Sequence, residues 1–159
     1  MTINQHDLND PILVWGAGAI GASIAAFWKR AGVEVLMVDI VEEHVEACRT
    51  GGLAIEGPVE EFRLQIPAVT PGELRGTFSR IVLAVKAQHP DAATEMLKPH
   101  LAQGGYILST QNGLNEIAIS RIVGEECVMG CFVNFSSDWH GPGRVMFGSR
   151  GAVVVGEID

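Results

Sequence analysis

The sequence predicts an α/β protein: a Rossmann-like doubly wound, mostly parallel sheet with helices on both faces and a terminal hairpin. Three observations carry this. Short apolar runs without polar alternation recur along the chain, and helical spacing follows most of them. A GxGxxG motif, Gly16-Ala17-Gly18-Ala19-Ile20-Gly21, stands between the first such run and the first helix.

The polar residues Met1 to Asp10 read as a loose leader, and residues 11–159 as one dinucleotide-binding domain. Ile12 to Trp15 is the first strand. After the glycines, Ile20, Ile24, Phe27, Trp28 and Ala31 share one helical face. Lys29 and Arg30 suit the negative end of the helix dipole, and Gly32 is placed for a left-handed cap. Val33 to Val38, closed by Asp39, is the second strand. Val41, Val45 and Cys48 then recur at helical spacing up to Gly51 and Gly52. Leu53 and Ile55, then Phe62, Leu64 and Ile66, alternate around Gly57 and Pro58 as a peripheral hairpin would.

Ile81 to Val85 is a further covered strand that ends at Lys86. A helix starts at Pro90, with Ala93, Met96, Leu97 and Leu101 as its inner face, and Pro99 bends or ends it. Gly104 and Gly105 turn the chain into the strand Tyr106 to Ser109, followed by the loop Thr110 to Gly113 and a helix through Ile117, Ala118 and Ile122. Val128 to Val133 is the next strand. Val145 to Phe147 and Ala152 to Val155, separated by Gly148 and Gly151, form the terminal hairpin.

Composition narrows the partners. Eleven Lys and Arg against nineteen Asp and Glu give a formal charge of −8, which opposes attraction to nucleic acid or anionic lipid. The uncharged stretch Pro11 to Trp28 is close to spanning length, but Gly16, Gly18 and Gly21 interrupt it, and Asp7 and Asp10 precede it where a signal peptide is basic. A membrane span and an export signal are therefore not expected. Cys48, Cys127 and Cys131 are an odd number and read as buried reduced thiols in a cytoplasm. Neither they nor His6, His44, His89, His100 and His140 show metal-ligand spacing, so no metal is expected. The histidines receive no catalytic role, and Trp15, Trp28 and Trp139 read as core or interface residues.

Open α/β sheets bind ligands beyond the carboxyl ends of their strands, which places the site at Gly16, Asp39, Lys86 and Asn112. The first motif glycine permits the tight turn, the second lets a pyrophosphate approach the backbone, and the third lets helix and sheet pack. The helix N-terminus adds unpaired N–H groups and a partial positive charge. Asp39, 18 residues beyond Gly21, can accept from the adenosine ribose hydroxyls and repel a 2′-phosphate, or it caps the next helix. The first role favours NAD(H) over NADP(H), as do Glu42, Glu43 and the lack of any Lys or Arg between Asp39 and Arg49. Lys86 is either a solvated surface lysine or a cation over the cofactor. Gln111, Asn112 and Gly113 are either a turn or an amide-rich lip of the site.

Together, GAGAIG at Gly16 to Gly21, VKAQ at Val85 to Gln88 and QNGL at Gln111 to Leu114 resemble the cofactor domain of the ketopantoate reductase (2-dehydropantoate 2-reductase) family, over roughly Ile12 to Val155. Pro142, Gly143, Val145 and Gly148 look like that family's final hairpin. The resemblance implies an oxidoreductase of pantothenate biosynthesis that reduces a 2-oxo acid to a 2-hydroxy acid with a nicotinamide cofactor. Lys86 and Asn112 would approach the nicotinamide and the substrate. Gly16, Ala17, Gly18, Ala19, Ile20, Gly21, Asp39, Val85, Lys86 and Asn112 would contact the cofactor.

The resemblance also implies a helical second domain that provides the proton-donating lysine and is absent from this chain. The chain alone is then expected to bind dinucleotide and turn over poorly or not at all. Two departures stand out. The family is usually NADP-dependent, with a basic or small polar residue where this chain has Asp39, and relatives often carry another glycine after QNGL, where Asn115 and Glu116 follow here. Two other readings remain: a non-catalytic dinucleotide-sensing module, and a dehydrogenase of the same superfamily acting on another hydroxy acid or a sugar. Homo-oligomers stay open.

Overall fold

A computed structural model describes residues 10–86, 90–111 and 115–157. Strand and helix alternate from the start. β1 (Ile12–Trp15), α1 (Ala19–Arg30), β2 (Val35–Val38), α2 (Glu42–Gly51), β3 (Leu53–Glu56), β4 (Phe62–Leu64), β5 (Ala68–Val69) and β6 (Phe78–Leu83) are followed by α3 (Pro90–Leu97), β7 (Leu101–Ser109), α4 (Asn115–Val123), β8 (Val128–Gly141) and β9 (Arg144–Glu157). The nine strands form one sheet in the order β4-β3-β9-β8-β7-β6-β1-β2-β5. Among the described residues only the β3–β4 and β8–β9 pairs are antiparallel.

β1 shows why the central strands lack alternation. Leu13 and Trp15 pack on the face covered by α3 and α4, through Leu97 and Ile119, while Val14 packs on the face covered by α1 and α2, through Ala22, Ala25, Val45 and Cys48. Both sides of the strand are dry, so both carry apolar residues.

α1 rests on small residues. Ala22, Ala25 and Ala26 are fully buried, while Phe27 and Trp28, expected on the inner face, are only partly buried at its flank. Gly21 explains the close approach, because a Cβ there would drive into the Gly16 carbonyl oxygen. The helix ends on Gly32 at φ +90, with the amides of Gly32 and Val33 donating to the carbonyls of Lys29 and Trp28, as the expected left-handed cap requires.

Several expectations need correction. Asp10 is not leader: its carboxylate accepts from the Ser79 amide at 2.8 Å and its carbonyl from Arg80, which pins the chain to β6. The hairpin at Leu53 is not merely peripheral, because β3 pairs in parallel with β9 and buries Leu53, Ala54 and Ile55 in the main core. Met96 is exposed, and Thr94 takes the inner position, its hydroxyl satisfied by the Pro90 carbonyl at 2.6 Å. On α4, Ile119 is buried and Ile117 is exposed.

Glycine signals account for two further differences. β7 begins at Leu101 because Gly104 and Gly105 lie within the strand, where the pairing shifts between Phe78 and Arg80. Likewise, Val145 to Phe147 and Ala152 to Val155 belong to one strand. The hairpin turns instead between Gly141 (φ +122) and Gly143 (φ +68), and the strand Val128 to Val133 runs on to Gly141. Gly151 fits against the Asn134 carbonyl where the β8–β9 register slips, so it marks a bulge rather than a turn.

Candidate functional site

Four strand ends meet at one corner. β1 delivers Gly16, whose amide donates to the Val38 carbonyl of β2 at 2.8 Å. Gly16 sits at φ +98, and a Cβ there would stand 2.8 Å from the Val85 nitrogen and 2.9 Å from the Ala84 carbonyl carbon. No other residue type fits: the conformation and the space both exclude a side chain. Val85 follows β6, and its carbonyl accepts from Gln111 Nε2 at 2.8 Å across the end of β7.

Asp39 closes the corner from β2. Its Oδ2 accepts from the Ala17 amide at 2.8 Å and its Oδ1 from the Val41 amide at 2.9 Å. Val41 is the N-cap residue of α2, so Asp39 shapes the start of that helix while also reaching the glycine loop. The ordinary helix cap is not formed, because Val41 holds the N-cap place of α2 and no side chain caps it among the described residues. The nearest following cation is committed elsewhere: Arg49 donates to the Ala68 carbonyl at 2.8 Å and to Glu73 at 2.6 Å. The Arg49 guanidinium and the Thr70 donors hold the Glu73 carboxyl down at about 2, so this pair stays charged across neutral pH.

The three motif glycines differ in what requires them. Gly16 and Gly21 are imposed by the packing just described. Gly18 is not: its φ is −70, and a Cβ there would meet nothing within 4 Å among the described residues. Among the described residues no side chain caps α1 at this N-cap position, so the first amides of the helix keep no side-chain acceptor there.

Lys86 is exposed just past Val85, at the end of the β6 segment. Gly16 to Gly21, Asp39, Val85 and Lys86 thus converge on the carboxyl edge of the sheet. Asn112, Gly113, Leu114 and Gln88 lie outside the described residues. Gln111 is more than part of an amide-rich loop: it is buried and grips the peptide before Lys86, while its Oε1 has no partner among the described residues. The signal for it was a polar residue continuing the inward alternation Ile107, Ser109 beyond the strand. A cleft of about 460 Å³ also exists, but it lies along α1, β8 and β9 and includes none of these groups. Among the described residues, no helix is long and apolar enough to cross a membrane.

The fold and this corner define a Rossmann-like α/β domain with its glycine loop at the first strand–helix junction. The chain belongs to the ketopantoate reductase PanE/ApbA family, whose model matches residues 12–159. It is 30% identical over 148 residues to a 2-dehydropantoate 2-reductase from Pyrococcus abyssi, covering 91% of this chain and 47% of that protein. The crystal structure of 2-dehydropantoate 2-reductase from Geobacter metallireducens GS-15 superposes with a TM-score of 0.84 at 28% identity, over 92% of this chain and 49% of that one. A D-mandelate dehydrogenase in complex with NADH superposes at 0.77 and 25% identity, over 91% of this chain and 45% of that one. The chain therefore spans about half the length of the relatives it matches.

Proposed function

We propose that this chain is the nicotinamide-dinucleotide-binding half of an oxidoreductase that reduces a ketopantoate-like 2-oxo acid to the 2-hydroxy acid. The observation that carries it is Gly18. Two motif glycines serve the fold, whereas the third is free of steric and conformational demand on the protein side and faces uncapped amides. A diphosphate pressed against that backbone accounts for the missing side chain. The residues fit the cofactor: Gly18, Ala19 and Ile20 offer amides to phosphate, and Gly16, Ala17 and Gly21 set the turn that presents them.

Asp39 would take the adenosine ribose hydroxyls, which favours NAD(H), with NADP(H) the alternative. When bound, the cofactor supplies hydride. Val85 borders the glycine loop, Lys86 offers an ammonium to the nicotinamide ribose or the substrate carboxylate, and Asn112 would orient the nicotinamide end. Alkoxide charge on the reduced carbonyl calls for a proton donor, which we assign to the half of the relatives that this chain does not match. The free thiols of Cys48, Cys127 and Cys131 accord with a cytoplasmic protein. A second reading, a dehydrogenase for another 2-hydroxy acid, is favoured by the NADH complex of the D-mandelate enzyme together with Asp39.

Titration of the chain with NADH and with NADPH, followed by nicotinamide fluorescence, tests the proposal. Saturable binding with NADH the tighter, lost in Gly18→Val without a drop in melting temperature, is the expected result. No binding of either coenzyme overturns it.

A further inference from the structure

Gln111 lies just beyond the end of β7 and is only 5% exposed. The ladder between β6 and β7 closes immediately before it, where the Leu83 carbonyl accepts from both the amide and the hydroxyl of Thr110, each at 3.1 Å. On its other side β6 is held by β1, with the Ala84 amide donating to the Trp15 carbonyl at 2.8 Å. The Val85 carbonyl lies past both of these ties. Among the described residues its partner is Gln111 Nε2, at 2.8 Å.

That bond acts on Lys86. The Val85 carbonyl and the Lys86 N–H belong to one planar peptide, so tying the carbonyl to the end of β7 fixes the plane from which Lys86 departs. The nitrogen of Val85 is held separately, by its close packing beneath Gly16. With both ends of Val85 fixed, the exposed Lys86 side chain starts from a rigid base.

The same bond is unfavourable elsewhere. Committing Nε2 to Val85 leaves Oε1 buried with no partner among the described residues, and the fully buried Ser109, on the same face of the strand, has a hydroxyl in the same condition. Buried polar groups without partners destabilise a fold, and an apolar side chain of the same length would suit the core better. The amide is therefore explained by what it positions.

We infer that Gln111 is a positioning residue for Lys86: its bond to the Val85 carbonyl sets the backbone that carries the ammonium, and so governs the grip on the nicotinamide half of the coenzyme and not on its ADP half. This rests on the dinucleotide reading above, and of the two groups assigned there to Lys86 it selects the nicotinamide ribose.

Gln111→Met and Gln111→Glu keep the length of the side chain and remove its donor. Affinities for NADH and for ADP, which lacks the second ribose and the nicotinamide, are measured together with thermal melting. NADH affinity is expected to fall about tenfold in both variants, the loss of one positioned hydrogen bond to a charged group, while ADP affinity stays within about twofold. Gln111→Met should melt no lower than the unsubstituted chain, because it also removes the unpaired Oε1. Lys86→Met should match the loss of NADH affinity, and combining it with Gln111→Met should add nothing, since one residue acts through the other. Equal losses for NADH and ADP, additive losses in the double variant, or failure of both Gln111 variants to fold overturn the inference and leave the dinucleotide reading intact. Failure of the unsubstituted chain to bind NADH overturns both.

Discussion

The Ala17 amide donates to Asp39 Oδ2 at 2.8 Å, tying the glycine loop after β1 to the end of β2. Asp39 is thus a strut of the loop before any ligand arrives. Each carboxylate oxygen keeps a lone pair beyond the amide it accepts, which the proposed function assigns to the adenosine ribose. Asp39→Ala removes both functions. It leaves the buried Ala17 N–H unsatisfied, a cost of about 1–3 kcal/mol, and NADH affinity is expected to fall about tenfold or more. NADPH affinity should fall less, because the carboxylate no longer repels a 2′-phosphate. Parallel titrations check this, and an unchanged NADH to NADPH ratio contradicts it.

The motif glycines should separate folding from binding. Gly21→Ala forces a methyl into the Gly16 carbonyl, and overpacking of this kind costs about 1–3 kcal/mol. Gly18→Ala meets no atom within 4 Å among the described residues. Thermal melting should therefore drop for Gly21→Ala and hold for Gly18→Ala, with dinucleotide affinity reduced in both.

Acid should loosen the molecule through His44. Burial pushes its imidazole below the ordinary value of 6.5, against the opposing pull of the Asp39 charge and of the Ala17 backbone. The unfolded chain takes up a proton near 6.5, and the folded chain resists until lower pH. The contribution to stability is therefore complete above 6.5 and is lost as pH falls through the lowered folded value. Asp39 and Cys48 are the titratable groups that act on or touch the ring, while Trp139 and the backbones of Gly143 and Ala17 are uncharged partners. Melting temperature against pH should fall more steeply below 6.5 in the unsubstituted chain than in His44→Gln.

The cysteines should label in order. Burial pushes the Cys48 thiol up to about 11, with Asp39 adding to the effect, and burial also raises that of Cys131, whereas Cys127 is only partly covered. Thiolate is the reactive form. A disulfide reagent at pH 8 should modify Cys127 first and reach Cys48 only after unfolding, read by peptide mass spectrometry. Rapid modification of Cys48 in the folded chain contradicts the packing around His44.

The residues that positioned the site were legible where one local rule sufficed. Gly16 to Gly21 after a strand, and Asp39 at the end of the next one, follow from turn sterics and strand order. The strand ends at Lys86 and Gln111 follow from apolar runs covered on both faces. What stayed hidden depends on partners distant in sequence. Gly148 and Gly151 look like turn residues, and only the slip of β9 against β8 shows that they form a bulge. The small face of α1 was masked by the larger Phe27 and Trp28, because hydrophobic periodicity weights size, whereas close helix–sheet contact selects alanine. The burial of His44 gives no signal in the sequence, since its partners Trp139 and Gly143 lie almost a hundred residues further along the chain.

The most direct test of the central claim, that the amides at the start of α1 hold a diphosphate, is an amide-resolved titration of the isotope-labelled chain with ADP-ribose. The largest saturable shifts are expected at Gly18, Ala19 and Ile20, with smaller ones at Asp39 and Val41. Unmoved resonances there, or shifts confined to the cleft lined by Phe135, Phe147 and Val153, would contradict it.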